Sequence, residues 1–217
     1  AVLMYCAVWL TSADAAEWHT NGPLTSTSTD GGSMRFVIHP HTSGTTLAVG
    51  CSSSYMHMAL NGPTSTAMPW TNAATVTPLF SGCQGAGGAG FIVRCAPAEL
   101  RASSYVGGTT FATAGGGITT GSVTNIDCRV SIGATDCVTI TGTVPAHYTN
   151  PNPIASGAGR LTITATGQAL TADRINTCVL IPPGFVTWGT PGSTATTITD
   201  FTYVYDGPGA PYIYRTP

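Results

Sequence analysis

Residues 122–144 constrain the fold more strongly than any other part of the chain. Valine and isoleucine alternate there with threonine and serine on both sides of a short turn that contains Gly133. Alternation with a period of two is typical of a β-strand that buries one face, and a glycine supplies the backbone freedom that a tight reversal needs. The segment is therefore predicted to form a β-hairpin with Cys128 on one strand and Cys137 on the other.

The same pattern extends over most of the 217 residues, as short Thr/Val/Ile runs separated by Gly, Pro and Asn turns. It predicts about a dozen strands at the spacing typical of β-sandwiches. The only helix it predicts is short, at residues 96–102, where a proline lies near the first turn. We expect an all-β, antiparallel, disulfide-stabilised β-sandwich, jelly-roll or Greek-key like, that forms a single domain over residues 17–217.

Residues 1–10 are uniformly apolar, and the small residues Ala-Asp-Ala follow at 13–15. An apolar run followed by small residues matches the hydrophobic region and cleavage site of a secretory signal. Ten residues span only about 15 Å as a helix, which is too short to cross a membrane. Residues 1–16 are interpreted as a signal remnant, and the protein as secreted or displayed at the cell surface. The alternatives are lipid attachment at Cys6 and retention of the segment as a buried helix or strand.

The cysteine count agrees with export. Seven cysteines less Cys6 leave six, and an even set in a secreted chain indicates disulfide bonds. Two pairs bracket short strand–turn segments, which favours local bridges and leaves the third pair to join the two halves of the chain. The predicted bonds are Cys83 to Cys95, Cys128 to Cys137 and Cys51 to Cys178.

The charge content of the chain and the absence of known catalytic motifs from its sequence exclude several classes of function. Only 7% of residues are charged, lysine is absent and the formal net charge is −2, so the chain lacks the basic face that nucleic-acid binding requires. A hydrophobic fraction of 42% argues against disorder. Neither a Gly-x-Ser-x-Gly elbow nor a His-Glu-x-x-His or Cys-x-x-Cys motif occurs. No catalytic residue, metal ligand or cofactor is predicted.

Two weaker patterns suggest cation sites. His39 and His41 are two residues apart, and His57 would complete a three-histidine zinc site if the fold brought it near. Asp127 and Asp136 each precede a cysteine of the hairpin and would share a cation if they faced one another. Ordinary loop and strand roles are the favoured interpretation of all five residues.

Aromatic residues suggest two kinds of binding. Trp70, Trp188, Tyr203 and Tyr205 lie in or beside loops and late strands, where exposed rings would stack on sugars; packing inside the core is the alternative. Tyr212, Ile213 and Tyr214 form a terminal apolar strand that pairs either with its own sheet or with an exposed sheet edge of a neighbouring subunit.

Three phrases carry a family resemblance: residues 17–22, the segment from Cys83 to Cys95, and residues 159–168. In these phrases and in composition the chain resembles uncharacterised secreted proteins of high-GC Gram-positive bacteria, which are rich in Thr, Ser and Gly and carry paired cysteines. The resemblance implies export and a β fold, and it assigns no catalytic residue.

The sequence thus supports three functional hypotheses. The first is a non-catalytic extracellular structural or assembly protein that forms homo-oligomers or filaments by strand pairing. The second is a carbohydrate-binding module whose partner is a polysaccharide. The third is a secreted hydrolase of unrecognised type, which would need His with Asp, or two carboxyl groups, in one cleft.

Overall fold

The computed structural model describes residues 16–22, 25–42, 44–154, 156–175, 178, 181–194, 196–206 and 210–217. Within these ranges strands are the dominant secondary structure, and the helical segments are single 3₁₀ turns at Ala86–Gly88 and Phe111–Thr113. The all-β, antiparallel class is confirmed. The strands are β1 (Trp18–Asn21), β2 (Thr25–Thr27), β3 (Met34–Pro40), β4 (Leu47–Leu60), β5 (Thr64–Ser65), β6 (Trp70–Gln84), β7 (Gly90–Cys95), β8 (Ala98–Val106), β9 (Ile118–Ile132), β10 (Thr135–Thr149), β11 (Gly159–Ile163), β12 (Ala169–Arg174), β13 (Gly184–Pro191), β14 (Ile198–Thr199), β15 (Phe201–Tyr205) and β16 (Tyr212–Arg215).

Eight strands pair in a closed ring. The order is β3, β4, β6, β7, β9, β10, β12 and β13, after which β13 pairs with β3 again. Each pairing is antiparallel. Both faces of the fold therefore belong to one continuous sheet, and every strand of the ring has a hydrogen-bonded neighbour on each side.

The long strands extend beyond this ring. β8 pairs with β6 and β9, and β11 pairs with β10 and β15. A separate three-stranded sheet, in the order β16, β1, β5, joins the terminal strand to the start of the described chain. Residues 96–102 are not a helix, so that prediction is wrong. Ala98, Leu100 and Ala102 are buried, whereas the residues between them are half-buried, which is the period of a strand.

The predicted hairpin is confirmed and is longer than expected. Ile132 and Thr135 are register partners, so a two-residue turn at Gly133 and Ala134 joins β9 to β10. Gly133 has φ 57°, the left-handed conformation that a glycine adopts without a steric penalty. This hairpin contributes two adjacent strands of the ring.

All six predicted cysteines form disulfide bonds, but the predicted pairing is wrong. Cys128 lies opposite Ile140 and Cys83 lies opposite Phe91, so neither cysteine faces its expected partner. Two of the actual bonds join register partners on neighbouring strands, and the third ties β10 to the segment after β12. The observed bonds join Cys51 to Cys83, Cys95 to Cys128 and Cys137 to Cys178.

Burial changes the acidity of three core tyrosines. It raises the pKa of the hydroxyls of Tyr148, Tyr203 and Tyr205 above the ordinary value of 10.0, and the neighbouring Ser54 hydroxyl opposes the rise in part at Tyr203. A group whose pKa is raised on folding contributes stability that is complete below its unfolded pKa and is lost as the pH rises through the folded value.

We therefore expect the free energy of unfolding to fall above about pH 10. Urea titrations at neutral and alkaline pH, with the tyrosinate absorbance followed at the same time, measure this. Ionisation of these three hydroxyls should accompany unfolding. Tyr203→Phe removes one of the groups and should make the pH dependence shallower; an unchanged slope in this variant would contradict the assignment.

No helix in the described part of the chain has the length and apolar character that a membrane span requires. Residues 1–15 of the predicted signal remnant, residues 1–16, lie outside the described residues.

Candidate binding cleft

The four aromatic residues predicted to face a ligand are buried instead, so this prediction is wrong. Trp70 is 7% exposed, and Trp188, Tyr203 and Tyr205 are 1% exposed or less. The Trp188 ring stacks on Phe36 at 5.9 Å between centroids. These rings lie on the inward side of their strands, where their large apolar area stabilises the core.

The terminal strand β16 is not free to pair with a neighbouring molecule. β1 pairs with it along one side. On the other side, the buried Asn150 side chain accepts a hydrogen bond from the backbone N–H of Ile213 and donates one to its carbonyl, both at 2.9 Å. The Thr119 hydroxyl also donates to the same carbonyl, at 3.1 Å. The strand containing Tyr212, Ile213 and Tyr214 therefore pairs within its own sheet, which is the first of the two alternatives raised by the sequence.

A cleft of about 420 Å³ opens on the outer face of the ring. One row of register partners crosses it, from Arg35 on β3 to Gly50 on β4 and Gln84 on β6, and this row continues past the lining of the cleft to Gly90 on β7. Neighbouring strands are about 4.8 Å apart, so Arg35 and Gln84 lie roughly 10 Å apart with a glycine between them. The volume lies within the range of small-ligand sites.

Gly50 and Gly90 differ from the other described glycines. Neither has a φ in the left-handed region, and a Cβ built on either would meet no heavy atom within 4 Å. Each remaining described glycine has a left-handed φ or has atoms within 4 Å of such a Cβ. A glycine inside a strand costs about 0.5–1 kcal/mol relative to alanine, and it often marks a place where a ligand approaches the backbone. Nothing within the described fold requires glycine at these two positions.

The walls of the cleft carry hydrogen-bonding groups. Gln84 is exposed, and its side-chain amide has no partner among the described residues. Thr46 and Thr196 line the cleft beside it, and Leu47 adds an apolar surface. Arg35 is held in place by a hydrogen bond from its Nη1 to the carbonyl of Thr194, at 2.8 Å. The cleft therefore combines backbone that Gly50 leaves uncovered with the amide of Gln84, two threonine hydroxyls and the guanidinium of Arg35.

The floor is rigidly supported. The Cys51–Cys83 bond lies one residue from both Gly50 and Gln84. The loop that follows Gln84 is closed by a hydrogen bond from the Gly85 N–H to the Ala89 carbonyl, at 2.9 Å. A site built on cross-linked strands keeps its geometry in the absence of ligand.

The residues weighed as cation ligands do not converge. His57 Nδ1 lies 3.0 Å from the Thr27 hydroxyl, and His41 contacts Phe185 edge to face at 4.7 Å. Asp127 and Asp136 are opposite Thr141 and Ser131, respectively, rather than each other. Among the described residues, no group of three or more His, Cys, Asp and Glu side chains is placed to hold a metal ion.

Sequence reasoning missed the cleft, although one signal for it was present. Gly50 interrupts an otherwise strand-like run from residue 45 to 51, and an isolated glycine in a strand pattern indicates a bulge or a close approach to the backbone. The sequence alone does not distinguish these two causes, since the distinction depends on what lies above the glycine.

The two unexplained glycines give a testable expectation for stability. Gly50→Ala and Gly90→Ala should each raise the free energy of unfolding by about 0.4–1 kcal/mol, because alanine reduces the entropy of the unfolded chain and meets no obstacle in the folded one. Urea denaturation measures the change. Gly142→Ala is the matched control: its φ is 137°, and its Cβ would collide with the Ala169 carbonyl, so it should destabilise. Destabilisation by Gly50→Ala would show that the fold itself needs this glycine.

No protein-family model, no curated protein and no solved structure matches this chain.

Proposed function

We propose that the protein is an extracellular, non-catalytic binding protein whose cleft recognises a polyhydroxylated ligand, with a polysaccharide as its partner. The observation that carries this proposal is Gly50 in the cleft and Gly90 beside it, two glycines on either side of Gln84, whose side-chain amide has no partner among the described residues. The glycines leave space at the backbone that a ligand would fill.

The chemistry of the cleft favours a carbohydrate. A glutamine amide offers both a donor and an acceptor to adjacent hydroxyl groups, and the threonine hydroxyls of Thr46 and Thr196 do the same. Leu47 provides an apolar contact for the C–H face of a sugar ring. The cleft is open across several strands, which suits an extended chain better than an enclosed small molecule.

Export is part of the same proposal. Three disulfide bonds among the described residues are compatible with an oxidising environment and are rare in the cytosol of most organisms. The apolar run at residues 1–10 and the resemblance to secreted proteins of high-GC Gram-positive bacteria support the same location.

The test is affinity electrophoresis through gels that contain a soluble glucan, mannan or arabinogalactan, followed by calorimetry with any polymer that retards the protein. We expect Gly50→Leu to weaken binding at least tenfold, because its side chain fills the floor of the cleft, and Gln84→Ala to weaken it through the lost hydrogen bonds.

Thr120→Leu is the matched control, because it adds the same side chain at an exposed position of β9 that does not line the cleft. It should bind as the unmodified protein does. Absence of binding to all three polymers and to a wider glycan array would overturn the proposal, and so would full binding by Gly50→Leu.

An assembly subunit is the second candidate function. The observation that favours it is a cluster of exposed apolar side chains, Tyr55, Leu79 and Ile92, on the outer face of the ring. Association through these side chains would differ from the strand pairing that the sequence suggested, since β16 is already paired on one side and capped on the other.

A further inference from the structure

A second region of the outer face has properties of an interface; we call it the amphipathic face and define it as Tyr55, Leu79, Ile92, Arg94 and Asp127. Tyr55, Leu79 and Arg94 lie in one register row across β4, β6 and β7. Ile92 precedes Arg94 by two residues, on the same side of β7. Leu79 is 49% exposed, Ile92 38% and Tyr55 37%, and clustered apolar exposure of this kind marks interaction surfaces.

Some of the charged side chains beside these apolar residues form ion pairs, and others do not. Arg94 is the register partner of Arg129, and like charges directly opposite one another on neighbouring strands destabilise a sheet. Arg129 is compensated by Asp136, at 3.4 Å. The Ser131 hydroxyl donates to the other oxygen of that carboxylate at 2.6 Å. This hydrogen bond, more than the two arginines, holds the pKa of Asp136 below its usual range, so the carboxylate is charged at neutral pH.

Arg94 attracts the Asp136 carboxylate without bonding to it, and Asp127 has no charged partner among the described residues. Neither side chain has an ion pair or a hydrogen bond among the described residues. They lie diagonally across the β7–β9 ladder, where side chains are about 7–8 Å apart, and with Arg129 they line a shallow cleft of about 300 Å³. The face thus presents one unpaired cation and one unpaired anion next to exposed apolar groups.

We propose that the amphipathic face binds a second copy of the chain across a twofold axis, with Arg94 of each copy paired to Asp127 of the other. A twofold interface is self-complementary, so a contact between residue i and residue j occurs twice. One unpaired charge of each sign satisfies this requirement within a single surface. Leu79, Ile92 and Tyr55 would be covered in the same contact, which removes apolar area from water.

The balance of charges on the amphipathic face favours a second copy of the chain as its partner. The sequence has seven arginines and nine acidic residues, and the amphipathic face with Arg129 and Asp136 has two of each sign. A strongly basic or acidic partner would therefore meet a face with no net charge, whereas an identical face offers the opposite charge at each unpaired position. This interface does not depend on the cleft, because none of its residues lines that site.

Sedimentation velocity over a wide range of protein concentration tests the proposal. We expect a reversible dimer in the unmodified protein. Arg94→Asp and Asp127→Arg should each raise the dimer Kd at least about thirtyfold, because each turns two ion pairs into two like-charge contacts. The double variant Arg94→Asp/Asp127→Arg exchanges the charges and should restore the Kd to within about threefold.

Two further variants keep the experiment decisive. Arg160→Asp reverses an exposed arginine on β11, outside the amphipathic face, and should leave the dimer unchanged. Leu79→Ser tests the apolar part without altering charge and should weaken the dimer. A monomer at every concentration would overturn the proposal. A dimer that Arg94→Asp and Leu79→Ser leave intact would also overturn it, and so would a double variant as weak as the single ones.

Discussion

Reduction of the three disulfide bonds is expected to unfold the protein at 25 °C. The bonds close loops with sequence separations of 32, 33 and 41 residues, and loops of this size correspond to roughly 3.5–4 kcal/mol each in the chain-entropy model. Together they contribute about 11 kcal/mol, which is comparable with the whole net stability of a typical domain, about 5–15 kcal/mol. Circular dichroism with and without a phosphine reductant measures the effect.

Removal of single bonds separates their contributions. Cys51→Ala/Cys83→Ala and Cys95→Ala/Cys128→Ala each delete one cross-strand bond and should lower the free energy of unfolding by about 3–4 kcal/mol. Alanine is used at both positions so that no unpaired thiol remains. A reduced protein that keeps its native near-ultraviolet spectrum would show that the core alone is sufficient to hold the fold.

Trp188→Ala is expected to cause the largest loss among single substitutions outside the disulfides. Trp188 is 1% exposed, stacks on Phe36 and contacts Phe80 edge to face at 5.9 Å. Truncation of a buried tryptophan or phenylalanine to alanine costs about 3–5 kcal/mol, because the removed side chain leaves a cavity. Urea denaturation should show the loss.

This substitution also distinguishes a core residue from a ligand-facing one. If Trp188 contacted a ligand, its removal would weaken binding and leave stability nearly unchanged. Because Trp188 is buried, we expect the opposite: the variant loses stability, and the molecules that remain folded bind ligand as before. Phe185→Ala is the control on the same strand: Phe185 is 61% exposed and contacts the ring of His41, so the loss should stay within about 1.5 kcal/mol. A loss of similar size in both variants would contradict the assigned burial.

Local pattern was sufficient to predict most of the strands, with the exception of the start of β8, but not the contacts between them. The alternation around Gly133 gave the hairpin and its turn correctly, because both depend on residues close in sequence. The partner of Cys128 depends on register instead. Cys128 lies opposite Ile140 in β10 and opposite Cys95 in β7, and the second pairing joins segments whose adjacency no local pattern reveals.

The aromatic residues show the same limit. Trp188 and Tyr203 alternate correctly within their strands, yet period-two alternation does not state which side faces inward. Once the strands close on themselves, the side of each strand that carries the bulky aromatic side chains must fill the interior. The side rich in hydroxyl groups then faces outward. The cleft was beyond prediction for a related reason: Gly50, Gln84 and Gly90 come from three strands, and only the register places them in one row.

Closure of the eight-stranded ring has a consequence for the behaviour of the protein at high concentration. A chain with so few charges and so much valine, isoleucine and threonine has little electrostatic repulsion to prevent aggregation, and its segments have the β propensity of amyloid-forming sequences. Within the ring, however, the backbone amides already bond to a neighbour on each side, so an incoming strand finds no row of free donors and acceptors. We therefore expect closure, rather than surface charge, to protect these eight strands from edge-to-edge pairing.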